Sequence, residues 1–208
     1  MSKSCCPGHI DVAALHARQR RILIIVLVIN TTTFMMMVFA AIISGSSSLL
    51  SGALDNFGDA MTYALSLMVV GASGLSKARV ALFKGFLIFG AALAVAFLIG
   101  SRILHPQTPV FETMGIAALL NLAANLLCLW LLTPYRDGDV NMSSAWECSR
   151  NDVSEGFAVI VAAFAVWMFG SGWPDLVIAI CLLILFLHSA VRVLRGAWQN
   201  LNPTSLQN

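Results

Sequence analysis

The sequence predicts an all-α membrane protein with six transmembrane helices and both termini in the cytoplasm. Hydrophobic residues make up 59% of the 208 residues, charged residues make up only 11%, and the mean hydropathy is +0.85. The acids and bases lie mostly between long apolar runs. A soluble domain of this length needs a charged surface around its core, so these features exclude that class and indicate that the bilayer is the solvent.

The six helices follow from the length of the apolar runs, because a spanning helix needs about 20 mostly apolar residues. The runs that meet this requirement are 22–43, 49–75, 80–99, 111–132, 148–168 and 176–194. Stretches rich in Ser, Gly or Pro separate them, at 44–48, 74–77, 105–109, 134–141 and 170–174. We therefore predict a tail at 1–21, a transmembrane domain at 22–198 and a short tail at 199–208.

The orientation follows from the basic residues, because cytoplasmic loops carry an excess of Lys and Arg. With both termini inside, all of the basic residues except Arg102 fall on the cytoplasmic side of the predicted bundle. The reversed orientation would place them on the wrong face. The formal net charge of +2 is thus a topology signal, and we expect no nucleic-acid partner.

The N-terminal tail and the cysteines carry weaker signals. The apolar run at 22–43 is too long for a secretory signal, so it is expected to be retained as the first helix. The five cysteines are too scattered for a disulfide framework. Cys5 and Cys6, together with His9 and His16, could collect a soft cation in the cytoplasm, and a solvated tail without that role is the simpler alternative.

Ionisable side chains at membrane depth are costly and usually mark an ion or proton path. The second predicted helix carries Asp55 and Asp59, which lie four residues apart and therefore on one face, one turn apart. As anions they repel each other, and the repulsion is relieved when a cation lies between them or when one takes a proton. The pair is therefore a candidate cation site.

The fifth predicted helix carries a matching set. Cys148 and Asp152 are also four apart, and Glu155 follows on the same stripe. Three carboxylates and one thiolate, from Asp55, Asp59, Cys148 and Asp152, form a plausible four-coordinate set for zinc, whereas calcium and magnesium prefer oxygen ligands alone. The alternatives are hydrogen bonds between helices for the acids and apolar packing for the cysteine.

Other polar residues in the predicted membrane segments have less specific roles. Glu155 is a possible proton relay or an outer residue of the site. Asn121 and Asn125 on the fourth helix are expected to form hydrogen bonds between helices, and Asn125 is a possible contact of the metal site. Met35, Met36 and Met37 cannot share one helical face, so they are expected to serve packing.

The sequence resembles the cation diffusion facilitator family over about residues 22–198. The stretch 44–60, which contains Asp55 and Asp59, is similar to the second-helix motif of the family, in which His or Asp precedes Asp by four. The stretch 139–153 is similar to the fifth-helix motif, in which His or Cys precedes Asp by four, and Gly172-Trp-Pro-Asp175 also matches. The resemblance implies exchange of a metal ion for protons by a homodimer.

The sequence departs from this family in three ways. Met37 and Gly52 stand where acids are often found, and none of the four candidate ligands is His. The exchanged protons would then be carried by Cys148 or by the carboxylates, with Glu155 as a spare acceptor. Members of the family usually end in a cytoplasmic domain. This sequence stops at Asn208 without one, so we expect a form that lacks that domain.

Together these observations predict a transition-metal efflux transporter of the cell (inner) membrane, with zinc as the first choice of cargo and cadmium, cobalt, iron or manganese as alternatives. Its expected partners are the lipid bilayer, the metal ion and protons, with no cofactor. A homodimer is expected to form through the transmembrane helices, and the stripe of Ala92, Ala96 and Gly100 is a candidate seam. The alternative function is a membrane metal sensor or assembly partner that does not transport.

Two further classes are disfavoured by the residues present. A membrane enzyme needs a nucleophile and a base such as Ser with His, and the sequence places no buried His for that role. A passive channel needs a polar pore lining along its length. The acids of this chain are instead grouped at one depth.

Overall fold

The computed structural model describes residues 12–68, 74–136 and 140–201. These residues form six α-helices and one short 3-10 turn, with no strand in the described ranges. The helices are α1 (Val12–Ser44), α2 (Ser47–Met68), α3 (Gly74–Leu104), α4 (Phe111–Leu132), α5 (Val140–Phe169) and α6 (Trp173–Leu201), and the 3-10 turn is Thr133–Tyr135. Cys5, Cys6 and His9 lie outside the described residues.

Most of the predicted helices are shorter than the observed ones, and one predicted loop is wrong. The structure extends α1 back to Val12, α5 back to Val140 and α6 on to Leu201, so parts of both predicted tails are helical. The predicted loop at 74–77 belongs to α3, and α2 is described as far as Met68, so the predicted helix end at 75 falls within α3 and residues 69–73 lie outside the described ranges. An apolar run identifies only the part of a helix that is surrounded by lipid. The backbone hydrogen bonds of the helix continue into the polar sequence on either side of that run.

Four of the described helices contain a segment long and apolar enough to cross a membrane. These segments are Ala17–Ser44, Phe86–Leu104, Phe111–Tyr135 and Cys148–Phe169. α6 has a shorter apolar segment, Trp173–His188, and α2 has none that meets the same criterion. The described part of the chain therefore has the helices expected of a membrane protein.

The position of α2 explains its lower apolarity. α2 packs against each of the other five helices. Large exposed apolar side chains occur on all five of those helices, and none occurs among the described side chains of α2. A helix that is surrounded by protein needs no apolar surface for lipid, so α2 can carry Asp55 and Asp59 at the centre of the bundle.

The connections α1–α2, α3–α4 and α5–α6 lie together at one end of the bundle, which we call the Asp175 end. α1 and α5 both terminate here at a glycine with positive φ, namely Gly45 at 72° and Gly170 at 58°. Each glycine N–H donates to the carbonyl four residues earlier, at 2.9 Å. Glycine adopts this left-handed conformation without a steric penalty, so these two residues allow both sharp turns.

The three connections are joined to one another. The Val110 N–H donates to the Ser44 carbonyl at 2.8 Å, and the Arg102 guanidinium donates to the Gly45 carbonyl. Gly172 in the α5–α6 connection lies so close to the α3–α4 connection that a Cβ atom at residue 172 would overlap the Gln107 carbonyl oxygen. These contacts hold the ends of the helices at fixed positions.

Asp175 at the start of α6 binds the first turn of α2. Its Oδ1 accepts hydrogen bonds from the hydroxyls of Ser46 and Ser48, both at 2.6 Å, and from the Ser48 N–H at 3.0 Å, while its Oδ2 accepts from the Ser47 N–H at 2.6 Å. The side chain is 1% exposed. Free N–H groups at a helix start favour an anion. This carboxylate therefore fixes α6 to the helix that carries Asp55 and Asp59.

Candidate metal site

Two of the candidate ligands are in direct contact. The carboxyl groups of Asp55 on α2 and Asp152 on α5 lie within hydrogen-bonding contact of each other. Asp152 is 4% exposed, and Asp55 is half-buried. Two carboxyls can touch in this way only when they share a proton or a cation, because both as anions would repel strongly.

The other two candidate ligands lie near this pair. Asp59 and Cys148 are both close enough to Asp152 to act on its carboxyl group electrostatically. Asp59 is 7% exposed, whereas Cys148 is half-buried. The two pairs predicted from their spacing along α2 and α5 thus face each other across one helix interface.

Glu155 belongs to the same electrostatic group. It lies about one turn from Asp152 on α5, is half-buried, and interacts electrostatically with Asp55 and Asp59 on the facing helix. The neighbouring Gly156 lets α5 approach α4 closely, since a Cβ atom there would be 3.3 Å from a Leu122 methyl group.

The group does not form a closed coordination sphere. Across the described ranges, no three His, Cys, Asp or Glu side chains converge tightly enough to hold one ion. Asp55 and Asp152 are in contact, and Asp59, Cys148 and Glu155 interact electrostatically with members of this pair. Binding by all four candidate ligands would therefore require side-chain movement.

The asparagines of α4 have different environments. Asn121 accepts a hydrogen bond from the Asn56 amide at 2.8 Å, so it joins α4 to α2 beside Asp55. Asn125 is 1% exposed, and its Oδ1 has no hydrogen-bond partner among the described residues. The hydrogen bond between helices expected on α4 is therefore present at Asn121.

Some polar contacts of the site were not predicted from the sequence. Tyr63, one turn after Asp59, donates from its hydroxyl to Asp59 Oδ2 at 3.0 Å. Cys128 on α4 lies within electrostatic range of Asp59, and the Asn30 amide approaches the Cys128 sulfur at 4.0 Å. The spacing of four between Asp59 and Tyr63 is a signal that sequence reasoning could have used.

The comparison with protein families identifies the class of this bundle. The model of the cation efflux transmembrane domain matches residues 23–201, which is most of the chain. The protein belongs to the cation efflux family. It is therefore a multi-pass membrane transporter that moves cations, as the resemblance of its two paired motifs implied. No curated protein matched the sequence closely enough to be counted as similar.

Two departures of this cation efflux protein from the family pattern are neighbours in space. Met37 on α1 is 0% exposed, and its terminal methyl group would lie 3.2 Å from a Cβ atom at Gly52 on α2. The methionine therefore fills the space beside the glycine. At the two positions where the family often has acids, this chain has residues that make an apolar contact with each other.

The candidate dimer seam is partly used within the chain. Ala92 is 0% exposed and belongs to the apolar cluster between α3 and α6, together with Ala179 and Leu183. Ala96 packs on the same cluster, whereas Gly100 has nothing within 4 Å of a Cβ position. Small residues allow α3 to approach α6 in the same copy, so Ala92 is unavailable for a second copy.

Proposed function

We propose that this cation efflux protein exports a divalent transition-metal ion from the cytoplasm, with Asp55, Asp59, Cys148 and Asp152 as its ligands. The observation that carries the proposal is the contact between the Asp55 and Asp152 carboxyls inside a helical membrane protein. Such a pair is unfavourable without a positive charge, and a divalent cation supplies it.

Zinc is the best cargo for this set of donors. Carboxylate oxygens and a single thiolate suit a borderline-soft ion that accepts four ligands in a tetrahedral arrangement. Cadmium, cobalt, iron and manganese remain alternative cargoes, and the thiol favours the softer ions among them. The ion is a substrate of the protein, and no resident cofactor is proposed.

The direction of transport rests on the orientation of the bundle. The excess of basic residues supports an orientation with both termini in the cytoplasm and the Asp175 end on the outer side of the cell (inner) membrane. Hydrogen bonds hold the three connections of the Asp175 end together. Asp59 and Cys148 lie nearer the opposite end of their helices, which supports loading from the cytoplasm.

Proton antiport is the coupling that the acidic group supports. A proton shared by Asp55 and Asp152 must leave when the ion takes both carboxylates, and the Cys148 thiol must also lose its proton to bind. Glu155, about one turn away, can accept a proton released in this way. Ion binding and proton release are thus alternatives at the same groups.

The assembly proposed here is a homodimer that forms through transmembrane helices. Large apolar side chains are exposed on α1, α3, α4, α5 and α6, so each offers surface to lipid or to a second copy. Cross-linking of the full chain in membranes tests this directly. A monomer at all protein densities would contradict the homodimer without affecting the transport proposal.

Uptake into proteoliposomes tests the transport proposal. The wild-type protein is expected to accumulate Zn²⁺ in vesicles that contain a zinc-sensitive dye, with movement of protons in the opposite direction. Asp152→Asn should abolish the signal, whereas the control Glu112→Gln changes an exposed acid at the start of α4 and should not. Tight Zn²⁺ binding without any uptake would replace the transporter with the sensor or assembly role.

A further inference from the structure

Tyr63 makes the best-defined hydrogen bond to a candidate ligand. Its hydroxyl donates to Asp59 Oδ2 at 3.0 Å, and the side chain is 2% exposed. The phenol ring belongs to an apolar cluster with Val26, Cys128 and Leu132, which fixes the position of the ring. Packing of the ring thus holds the hydroxyl against Asp59.

The same hydroxyl has a second acceptor on another helix. The carbonyl oxygen of Ala145 on α5 lies 3.5 Å from it, at the outer limit of a hydrogen bond. Ala145 precedes Cys148 by three residues on that helix. A hydroxyl has one proton to donate, and the shorter distance assigns it to Asp59 Oδ2, with the Ala145 carbonyl as a weaker second acceptor.

We propose that Tyr63 is a positioning residue that orients the Asp59 carboxylate for a divalent transition-metal ion and thereby sets the affinity of the site. This inference rests on the proposed function of Asp59 as a ligand. Hydrogen bonds from neighbouring groups fix the orientation of metal-binding carboxylates, and their loss usually weakens metal binding by about 10- to 100-fold. When the ion binds through the other oxygen of Asp59, the Tyr63 hydroxyl still donates to Oδ2 and holds the carboxylate in that orientation.

The variant Tyr63→Phe removes the hydroxyl and keeps the ring. In proteoliposomes of the full chain we expect the KM for Zn²⁺ to rise about tenfold while the maximal rate stays within about twofold of wild type. The Kd for Zn²⁺ of the purified protein should rise by the same factor. A residue that only supports folding would change the amount of active protein, and hence the maximal rate, rather than KM.

The chain offers a matched control. Tyr135→Phe removes the same hydroxyl from the other tyrosine of the sequence, which lies in the turn Thr133–Tyr135 and packs on the edge of the same apolar cluster. KM and Kd of this variant should equal those of wild type. A similar rise in both variants would show that the loss of any phenol hydroxyl near this cluster is enough, and would overturn the inference.

A double variant separates positioning from a general effect. If Tyr63 acts through Asp59, then Tyr63→Phe should not change the Kd for Zn²⁺ further in protein that already carries Asp59→Asn. An equal rise in both backgrounds would overturn the inference, as would an unchanged or lower KM in Tyr63→Phe alone. Full transport by Asp59→Ala would instead refute the proposed function, so the two failures are distinguishable.

Discussion

The Asp55 carboxyl group on α2 contacts the Asp152 carboxyl group on α5, in the interior of a bundle whose outer helices face lipid. This contact joins one member of each paired motif. The two residues are almost a hundred positions apart in the sequence, so only packing of α2 against α5 brings them together. The expected consequences of this arrangement can be measured.

Loss of a single acid should inactivate the protein. Asp59→Ala and Asp152→Ala each remove one candidate ligand and leave an incomplete site with unbalanced charge, so both should abolish metal resistance while the protein still inserts. Growth of a zinc-sensitive strain on increasing zinc, with immunoblots of membranes, provides the measurement. Glu112→Ala is the control, and normal resistance in either Asp variant would contradict the assigned site.

Replacement of the thiol should change selectivity more than activity. Cys148→Ser exchanges a soft sulfur ligand for a harder oxygen, so uptake of Cd²⁺ should fall by about tenfold or more while uptake of Mn²⁺ changes little. The matched control is Cys181→Ser, because Cys181 is exposed on α6 and outside the site. An equal loss for both ions in Cys148→Ser would mean that the thiol does not contact the ion.

Acidification should oppose loading of the metal. Protons and the ion compete for the same carboxylates and thiol, so uptake is expected to fall as the loading side is acidified from about pH 8 to about pH 5.5. Glu155→Gln should shift the midpoint of this profile without abolishing transport. Uptake that ignores pH would indicate a uniporter, and an inactive Glu155→Gln would make Glu155 essential.

Asp175 is expected to contribute to stability rather than to ion binding. Asp175→Asn replaces an acceptor of four hydrogen bonds with a group that also donates, which should lower the free energy of unfolding by about 2 to 3 kcal/mol. Thermal denaturation in detergent measures this, with Glu112→Gln as the control. An unchanged melting temperature would contradict the role of Asp175 in fixing α6 to α2.

The contact between two connections at the Asp175 end should be sensitive to a single methyl group. Gly172→Ala would place a Cβ atom in steric overlap with the Gln107 carbonyl oxygen, so the backbone must move and the melting temperature should fall. Gly115→Ala on α4 is the matched control, because nothing lies within 4 Å of a Cβ atom there. Equal melting temperatures for the two variants would show that the connection adapts without cost.

The sequence alone predicted the membrane class, the number of helices and both pairs of candidate ligands. Apolar runs are long enough to identify helices that face lipid, and the span of α4 was predicted with its observed bounds. A separation of four residues on a helix places two side chains on one face whatever the tertiary structure is. The pairs Asp55 with Asp59 and Cys148 with Asp152 could therefore be recognised from local geometry.

Tertiary structure decided what surrounds those pairs. The polar character of α2 is tolerated because five other helices cover it, and no property of α2 alone reveals that. The contact of Asp55 with Asp152, the hydrogen bond of Asn56 to Asn121 and the binding of Asp175 by the first turn of α2 all join distant segments. Such contacts depend on helix register and packing, which a pattern within one helix does not determine.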